Sequence, residues 1–371
     1  NVMRVLHIIS GDLWAGAESM AYHLISGLKK HHQIEISVIL FNEGKLAAEI
    51  GKLGVHVIIV NEKEGTSINI VKSIVKYLKI SQPNIIHSHG LKENVLAYIS
   101  TMFYDKNIAL INTQHGMPEP IDRRMKFMKR YLLSKSNMLL MKYKYRHIIA
   151  VSTDLRNNLI LVGKVPQEKV SVIHNGTDTN CSVHHGKQKH LFVIGSAGRF
   201  FPVKDYRLMV EIAMEINKTG SLTRFELAGD GPERDLILGW IRRYHLEEKF
   251  ILRGNVENMT DFYSGIDLYI NTSLHEGLPM SVLEAMAHGI PVVVPDIGGM
   301  DEIITNGVEG YIINNRDPKL FAEKCLEIRN NQPIYDRMAS KSRERVVTNF
   351  SYDTMAEKYF DIYKDSVIEN E

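Results

Sequence analysis

Only two cysteines occur among the 371 residues, Cys181 and Cys325, far apart and in no metal-ligand spacing. That usage excludes a disulfide framework and fits a reducing compartment. Long apolar runs are also missing: no stretch approaches the roughly 20 residues of a membrane-crossing helix. The opening NVMRVLHIIS has no basic region and no cleavage site, and reads as a first strand rather than a secretion signal. A cytoplasmic setting is the expectation. Charge of one sign is scarce too, with a net charge of +2, so the whole-molecule field says little about partners. Its distribution says more. Between Ile121 and His147 stand nine Lys or Arg and one Asp, interleaved with Met, Phe, Leu and Tyr. Such a stretch can be a helical face packed on one side and solvated on the other. It can equally lie on an anionic membrane surface or grip an anionic acceptor. No nucleic-acid recognition motif accompanies it, so nucleic acid is not expected as a partner.

The composition that remains is that of a soluble globular protein, 44% hydrophobic and 24% charged, and the length suits two domains. Short β-branched runs fall at 3–10, 34–41, 55–60, 84–89, 109–115, 147–152 and 170–176, with helical apolar spacing between most of them, as at 18–30 and 69–80. Continuous apolar strands alternating with helices predict a parallel sheet covered on both faces. The polar, His-rich segment 177–190 breaks the rhythm and reads as a linker; its His184, His185 and His190 fit a solvated loop better than a metal site. A second series follows at 191–197, 223–229, 250–253, 268–273, 291–295 and 310–313. The expected fold is therefore α/β, with two Rossmann-like, doubly wound parallel-sheet domains facing a ligand cleft. The expected boundaries are 1–178, a linker at 179–190, and 191–351, with a C-terminal helix at about 352–371 packing back on the first domain.

Ligands of open parallel sheets sit beyond the carboxyl ends of the strands, so the residues there carry the functional reading. After the first strand, Gly16 opens a helix whose N-terminus favours an anion; a tight turn would need the same glycine. After the first strand of the second half come Gly198-Arg199 and Lys204-Asp205, two cations five positions apart around a proline turn. Such a pair can clamp a diphosphate and stabilise its charge as it leaves. Ala228-Gly229-Asp230-Gly231-Pro232 follows another strand, and its glycines permit close approach to a ligand or serve the turn alone. The most informative stretch is NTSLHEGLPMSVLEAMA, from Asn271. Glu276 precedes a helix and Glu284 lies eight residues on, inside it, among Val282, Leu283, Ala285 and Met286. Two acceptor carboxylates so spaced suit a ligand with hydroxyls at two separated places, and a carboxylate in apolar company needs partners.

Glu276 and Glu284 in the setting EGLPMSVLEAMAHGIPVV resemble the signature of retaining glycosyltransferase family 4, the group 1 glycosyltransferases. Gly198-Arg199, Lys204-Asp205, Ala228 to Pro232, Asn175-Gly176, Gly298-Gly299 with Glu302, the Gly16 loop and Thr113-Gln114-His115-Gly116 are similar to family landmarks in matching order. The resemblance covers nearly the whole chain. It implies a GT-B fold and a nucleoside-diphosphate sugar as donor, UDP first and GDP next, with no obligatory metal or cofactor. It implies that Arg199 and Lys204 stabilise the departing diphosphate, Glu284 holds the ribose hydroxyls and Glu276 the donor-sugar hydroxyls, and His115 contacts the transferring sugar. Gly16, Gly198, Gly229, Asp230, Gly231, Gly277, Leu278 and Pro279 would line the donor. The acceptor, a glycan, lipid-linked sugar or protein, would meet the first domain. Asp301, at a proline-like family position, and Met300 depart from the pattern. A nucleotide-sugar 2-epimerase and a non-catalytic sugar-nucleotide-binding scaffold share the architecture and stay open as alternatives. A dinucleotide oxidoreductase is disfavoured by the missing Gly-x-Gly-x-x-Gly. His87, His89 and His115, all near strand ends, read as polar lining rather than as metal ligands.

Overall fold

The computed structural model describes residues 2–11, 14–62, 66–104, 106–116, 124–183 and 191–368, the side chains of 124–130 and 368 excepted. The chain forms two compact units, one of Asn1–Gly176 with Tyr352–Glu371 and one of Thr177–Ser351.

In the first unit the strands are β1 (Met3–Ile9), β2 (Ile34–Leu40), β3 (His56–Ile59), β4 (Ile85–Ser88), β5 (Ala109–Gln114), β6 (His147–Ala150) and β7 (Val170–Val172). The helices that connect them are α1 (Gly16–Leu28), α2 (Lys45–Lys52), α3 (Ser67–Ser81), α4 (Leu91–Thr101), α5 (Arg124–Tyr143) and α6 (Thr153–Leu161). The sheet order is β3-β2-β1-β4-β5-β6-β7, and every paired strand is parallel. Burial explains the apolar runs: β1 buries Val5, Leu6, Ile8 and Ile9, and β4 is buried along its whole length. Helix starts are set locally. The Thr66 side chain accepts from Asn69 N–H before α3, and the Ser152 hydroxyl from Leu155 N–H before α6.

The second unit repeats the plan with β8 (Phe192–Ala197), α7 (Tyr206–Asn217), β9 (Thr223–Ala228), α8 (Arg234–Arg243), β10 (Phe250–Gly254), α9 (Met259–Gly265), β11 (Leu268–Ile270), α10 (Met280–Ala287), β12 (Val292–Pro295), α11 (Met300–Ile303), β13 (Gly310–Ile313), α12 (Pro318–Asn330) and α13 (Gln332–Asn349). Its sheet, again parallel, runs β10-β9-β8-β11-β12-β13. The last helix, α14 (Tyr352–Ile368), belongs to the first unit, where Ala356 meets Gly27 of α1 and Lys30 Nζ reaches Asp353 Oδ1 at 2.5 Å. Two doubly wound parallel sheets are the architecture expected from the sequence.

The segment read as a linker is different at its start. Thr177 to Val183 is part of the second unit: Arg343 donates to the Thr179 and Ala287 carbonyls, and Cys181 Sγ lies 3.3 Å from the same Ala287 oxygen. A polar sequence reads as linker, yet a half-buried guanidinium seeks carbonyls wherever the backbone offers them. Residues 184–190, the His-rich part, lie outside the described residues, as does part of the basic 121–147 stretch.

Candidate donor site on the second unit and histidine cluster on the first

Strand order reverses direction between β8 and β11, the switch point at which an open sheet leaves room for a ligand. Gly198-Arg199 follows β8, and the Asn271 to Pro279 loop follows β11. The sequence therefore delivers its richest chemistry to the two strand ends that border this gap.

The β8 loop is zipped to its neighbour on the other side. Gly198 N–H donates to the Ala228 carbonyl at 3.0 Å and Phe200 N–H to the Asp230 carbonyl at 2.9 Å; Glu233 N–H returns to the Phe200 carbonyl. Gly229 has φ +132°, and a Cβ there would collide with the Gly198 carbonyl, so only glycine lets these loops touch. Asp230 Oδ1 accepts from Gly231 N–H at 2.8 Å, which closes the turn. Arg199 is half-buried with its guanidinium 4.9 Å above the Phe201 ring.

Lys204 and Glu276 come together, although 72 residues separate them: Nζ to Oε1 is 2.6 Å, with the side chains 21% and 12% exposed. Glu276 Oε1 also accepts from the Ser273 hydroxyl at 2.6 Å and from Asn271 Nδ2 at 3.4 Å. Burial by itself pushes this carboxyl up, but the Lys204 ammonium, Ser273 and Asn271 outweigh it and hold the group below its usual range. Glu276 is thus an anion, and its partner a fixed cation. Gly277, Leu278 and Pro279 form a buried turn into α10, and Pro279 caps that helix without a side-chain hydrogen bond. Gly298 (φ +50°) lets a second loop cross behind, where a Cβ would strike the Glu276 carbonyl, and Gly299 N–H donates to the Gly277 carbonyl at 3.1 Å.

Glu284 is on α10, as the sequence suggests, but it is half-buried rather than enclosed by its apolar neighbours. The helix turns Val282, Leu283, Ala285 and Met286 inward and leaves position 284 on the partly open side. Its Oε2 accepts from the Tyr263 hydroxyl at 2.8 Å. Sequence reasoning missed Tyr263, which reaches Glu284 from α9, and Arg316, in the loop after β13. Arg316 donates to Asp205 Oδ2 at 2.6 Å, to the Thr272 carbonyl at 2.6 Å and to the Ser273 carbonyl at 2.9 Å. Only its position just beyond a strand end could have flagged it.

The remaining candidates, Gly16 and His115, belong to the first unit. Gly16 is the first residue of α1 and is exposed, and Ser19 N–H donates to the Ala15 carbonyl before it. His115 follows β5 and joins a cluster that includes His7, a residue that sequence reasoning did not single out. His7 Nδ1 and His89 Nε2 are 3.0 Å apart, His89 Nδ1 and His115 Nε2 3.3 Å. His87 contacts the Tyr363 hydroxyl at 2.5 Å and Thr113 Oγ1 at 2.8 Å, and Thr113 Oγ1 meets the Tyr359 hydroxyl at 2.9 Å. The ligand atoms of His7, His87 and His89 lie within 4.8 Å of one another. Both ring nitrogens of His87 and of His89 have protein partners, while His7 Nε2 and His115 Nδ1 are buried with none among the described residues. Burial lowers the pKa to about 3 in His7 and about 4 in His115, and well below the ordinary value in His87 and His89. His115 is accordingly a neutral imidazole, able to exchange hydrogen bonds with a hydroxyl but poor as a base.

Two parallel sheets with flanking helices match the architecture of GT-B glycosyltransferase structures. The comparisons agree. A model described as glycosyl transferases group 1 matches residues 179–345, and one described as glycosyltransferase family 4 matches 14–180. The chain belongs to this group 1, family 4 glycosyltransferase family. Among curated relatives it is similar to the N-acetyl-alpha-D-glucosaminyl L-malate synthase of Bacillus anthracis, 24% identical over 76% of this chain and 74% of that one. It is also similar to the UDP-Gal:alpha-D-GlcNAc-diphosphoundecaprenol alpha-1,3-galactosyltransferase of Escherichia coli, 25% identical over 80% and 79%. Among solved structures, Anabaena Alr3699/HepE in complex with UDP superposes with a TM-score of 0.81, at 19% identity and over 98% of this chain and 100% of that one.

Proposed function

We propose that the protein transfers a sugar from a nucleoside-diphosphate sugar to an acceptor hydroxyl with net retention, the second unit holding the donor and the first the acceptor. The observation that carries this reading is the Lys204–Glu276 pair at the β8/β11 switch point. Lys204 and Arg199 neutralise charge on the leaving diphosphate. Glu276 accepts from hydroxyls of the donor sugar, Glu284 from those of the ribose, and neutral His115 contacts the transferring sugar. The turns at Gly198, Gly229-Asp230-Gly231 and Gly277-Leu278-Pro279 bring backbone close to the nucleotide, and Gly16 at the start of α1 offers N–H groups to an anion. In the transfer step the acceptor oxygen bonds to the anomeric carbon as the glycosidic phosphate bond breaks. The acceptor proton passes to the leaving phosphate. No metal is required where two cations perform this neutralisation.

UDP is the nucleotide favoured, because HepE was captured with UDP and with UDP-glucose and the Escherichia coli relative is named for UDP-Gal. The relatives' names further support a hexose or N-acetylhexosamine and a role in glycoconjugate or surface polysaccharide synthesis. A thermal-shift panel of UDP, GDP, ADP and CDP with their sugar conjugates, without metal, tests the donor. A ligand at about 100 times its Kd adds roughly 2.7 kcal/mol to the folded state. UDP and its sugars should raise the melting temperature by several degrees. No shift from any nucleotide would contradict the reading, and donor turnover without any acceptor dependence would favour epimerisation.

The acceptor could be a glycan, a protein or a lipid-linked sugar, and α5 favours the last. It exposes Tyr131, Leu132, Leu139 and Tyr143 beside Lys135 and Lys142, apolar and basic groups suited to the headgroup region of an anionic bilayer. No helix of the described residues is long and apolar enough to cross a membrane. Peripheral attachment at the cytoplasmic face follows from this reading. Co-sedimentation with phosphatidylglycerol vesicles should be strong at low salt and lost at high salt; absence of binding at low salt would remove the membrane from the account.

A further inference from the structure

We infer that Arg316 is a positioning residue for the Lys204–Glu276 pair, an inference that deepens the donor reading above and rests on it for its catalytic meaning. Arg316 is hydrogen-bonded to neither member of the pair. It touches the chain beside each of them. On one side its guanidinium holds the carboxylate of Asp205, the residue after Lys204. On the other it holds the carbonyls of Thr272 and Ser273, and Ser273 is the residue whose hydroxyl bonds Glu276 Oε1. The two loops are also tied directly, by the Thr272 hydroxyl donating to the Lys204 carbonyl at 2.9 Å and by Leu274 N–H donating to the Val203 carbonyl at 2.7 Å.

The backbone supplies an independent reason for this clamp. Asp205 has φ +44°, in the left-handed region that non-glycine residues seldom occupy. Such a conformation persists when its surroundings over-determine it. The Arg316–Asp205 bond does so, and so fixes the turn that aims the Lys204 stem at Glu276. The planar fork of arginine serves three acceptors lying in different directions; the point charge of lysine cannot span them. Loss of Arg316 leaves Lys204 Nζ free to drift from Glu276, and the burial that pushes the carboxyl up is then no longer outweighed.

The test is the titration of the Glu276 carboxyl by ¹³C NMR in ligand-free protein, its resonance assigned with Glu276→Gln, in wild type, Arg316→Ala, Arg316→Lys and Asp205→Asn. The expected result is a rise of about one unit in the Glu276 pKa in Arg316→Ala, with Arg316→Lys failing to restore the wild-type value and Asp205→Asn moving in the same direction. UDP affinity should fall about tenfold in the two Arg316 variants. A merely structural brace would lower the melting temperature and leave the Glu276 titration where it is, and coincident titrations in the variants and wild type would overturn the inference. If Arg316→Ala does not fold, Arg316→Lys and Asp205→Asn decide. The titration needs no nucleotide: wild-type protein that ignores UDP refutes the donor reading alone, and an unmoved Glu276 refutes the role of Arg316 alone.

Discussion

Replacing Lys204 by alanine is expected to lower turnover of the nucleotide sugar by about 10²–10³-fold, the usual loss when one fixed donor to a developing anion is removed. Arg199→Ala should lose a similar amount. The measurement is the initial rate of nucleoside diphosphate release with the donor selected by the thermal-shift panel. The Lys204 variant carries a second cost. Lys204 neutralises Glu276 at 2.6 Å, so its removal leaves a largely buried carboxylate without its cation and also costs stability. The Arg199 guanidinium lies over the Phe201 ring. Unchanged turnover in both variants would sink the leaving-group role of this pair.

The histidine cluster produces the second large effect. His7, His87, His89 and His115 are all neutral in the folded first unit, with pKa values depressed by burial from 6.5 to about 3 in His7 and about 4 in His115. Once the chain unfolds, each binds a proton near its ordinary value. Below pH 6.5 the unfolded state therefore holds more protons, and stability falls as pH falls, until the folded values are reached. Each histidine contributes up to about 1.4 kcal/mol per pH unit, so four together give a slope of the order of 5 kcal/mol per unit. That is comparable to the whole stability of a typical domain. Calorimetry between pH 7.5 and 5 should show the transition of the first unit dropping steeply below pH 6.5. A melting temperature that stays level to pH 5 would mean that the cluster is charged or solvated.

The strands were legible because short β-branched apolar runs such as 292–294, bounded by Pro, suit a sheet buried on both faces. The candidate site was legible for a related reason. A parallel sheet places whatever follows each strand at one edge, so Arg199, Lys204 and Glu276 could be chosen by their nearness to a strand end, and Glu284 by its spacing from Glu276 and its apolar neighbours. Contacts between sequence-distant residues were not. Nothing near Arg316 announces that it bonds the loops of Lys204 and Ser273, and nothing in MRVLHII marks His7 as the end of a histidine cluster. Composition misled at 177–183, where polar residues suggested a linker and Arg343 binds the backbone to the second unit. Glu284 was placed on its helix by the sequence, but its half-open position depended on how α10 rotates against the core.

The most direct test of the account is calorimetric titration of UDP, without metal, into wild-type protein and into Glu284→Ala. A carboxylate bonded to ribose hydroxyls contributes about 1.5–3 kcal/mol, so the variant should bind roughly 10- to 100-fold more weakly while keeping its fold. Equal affinities in the two proteins, or no binding to wild type, would contradict a nucleotide held by α10 of the second unit.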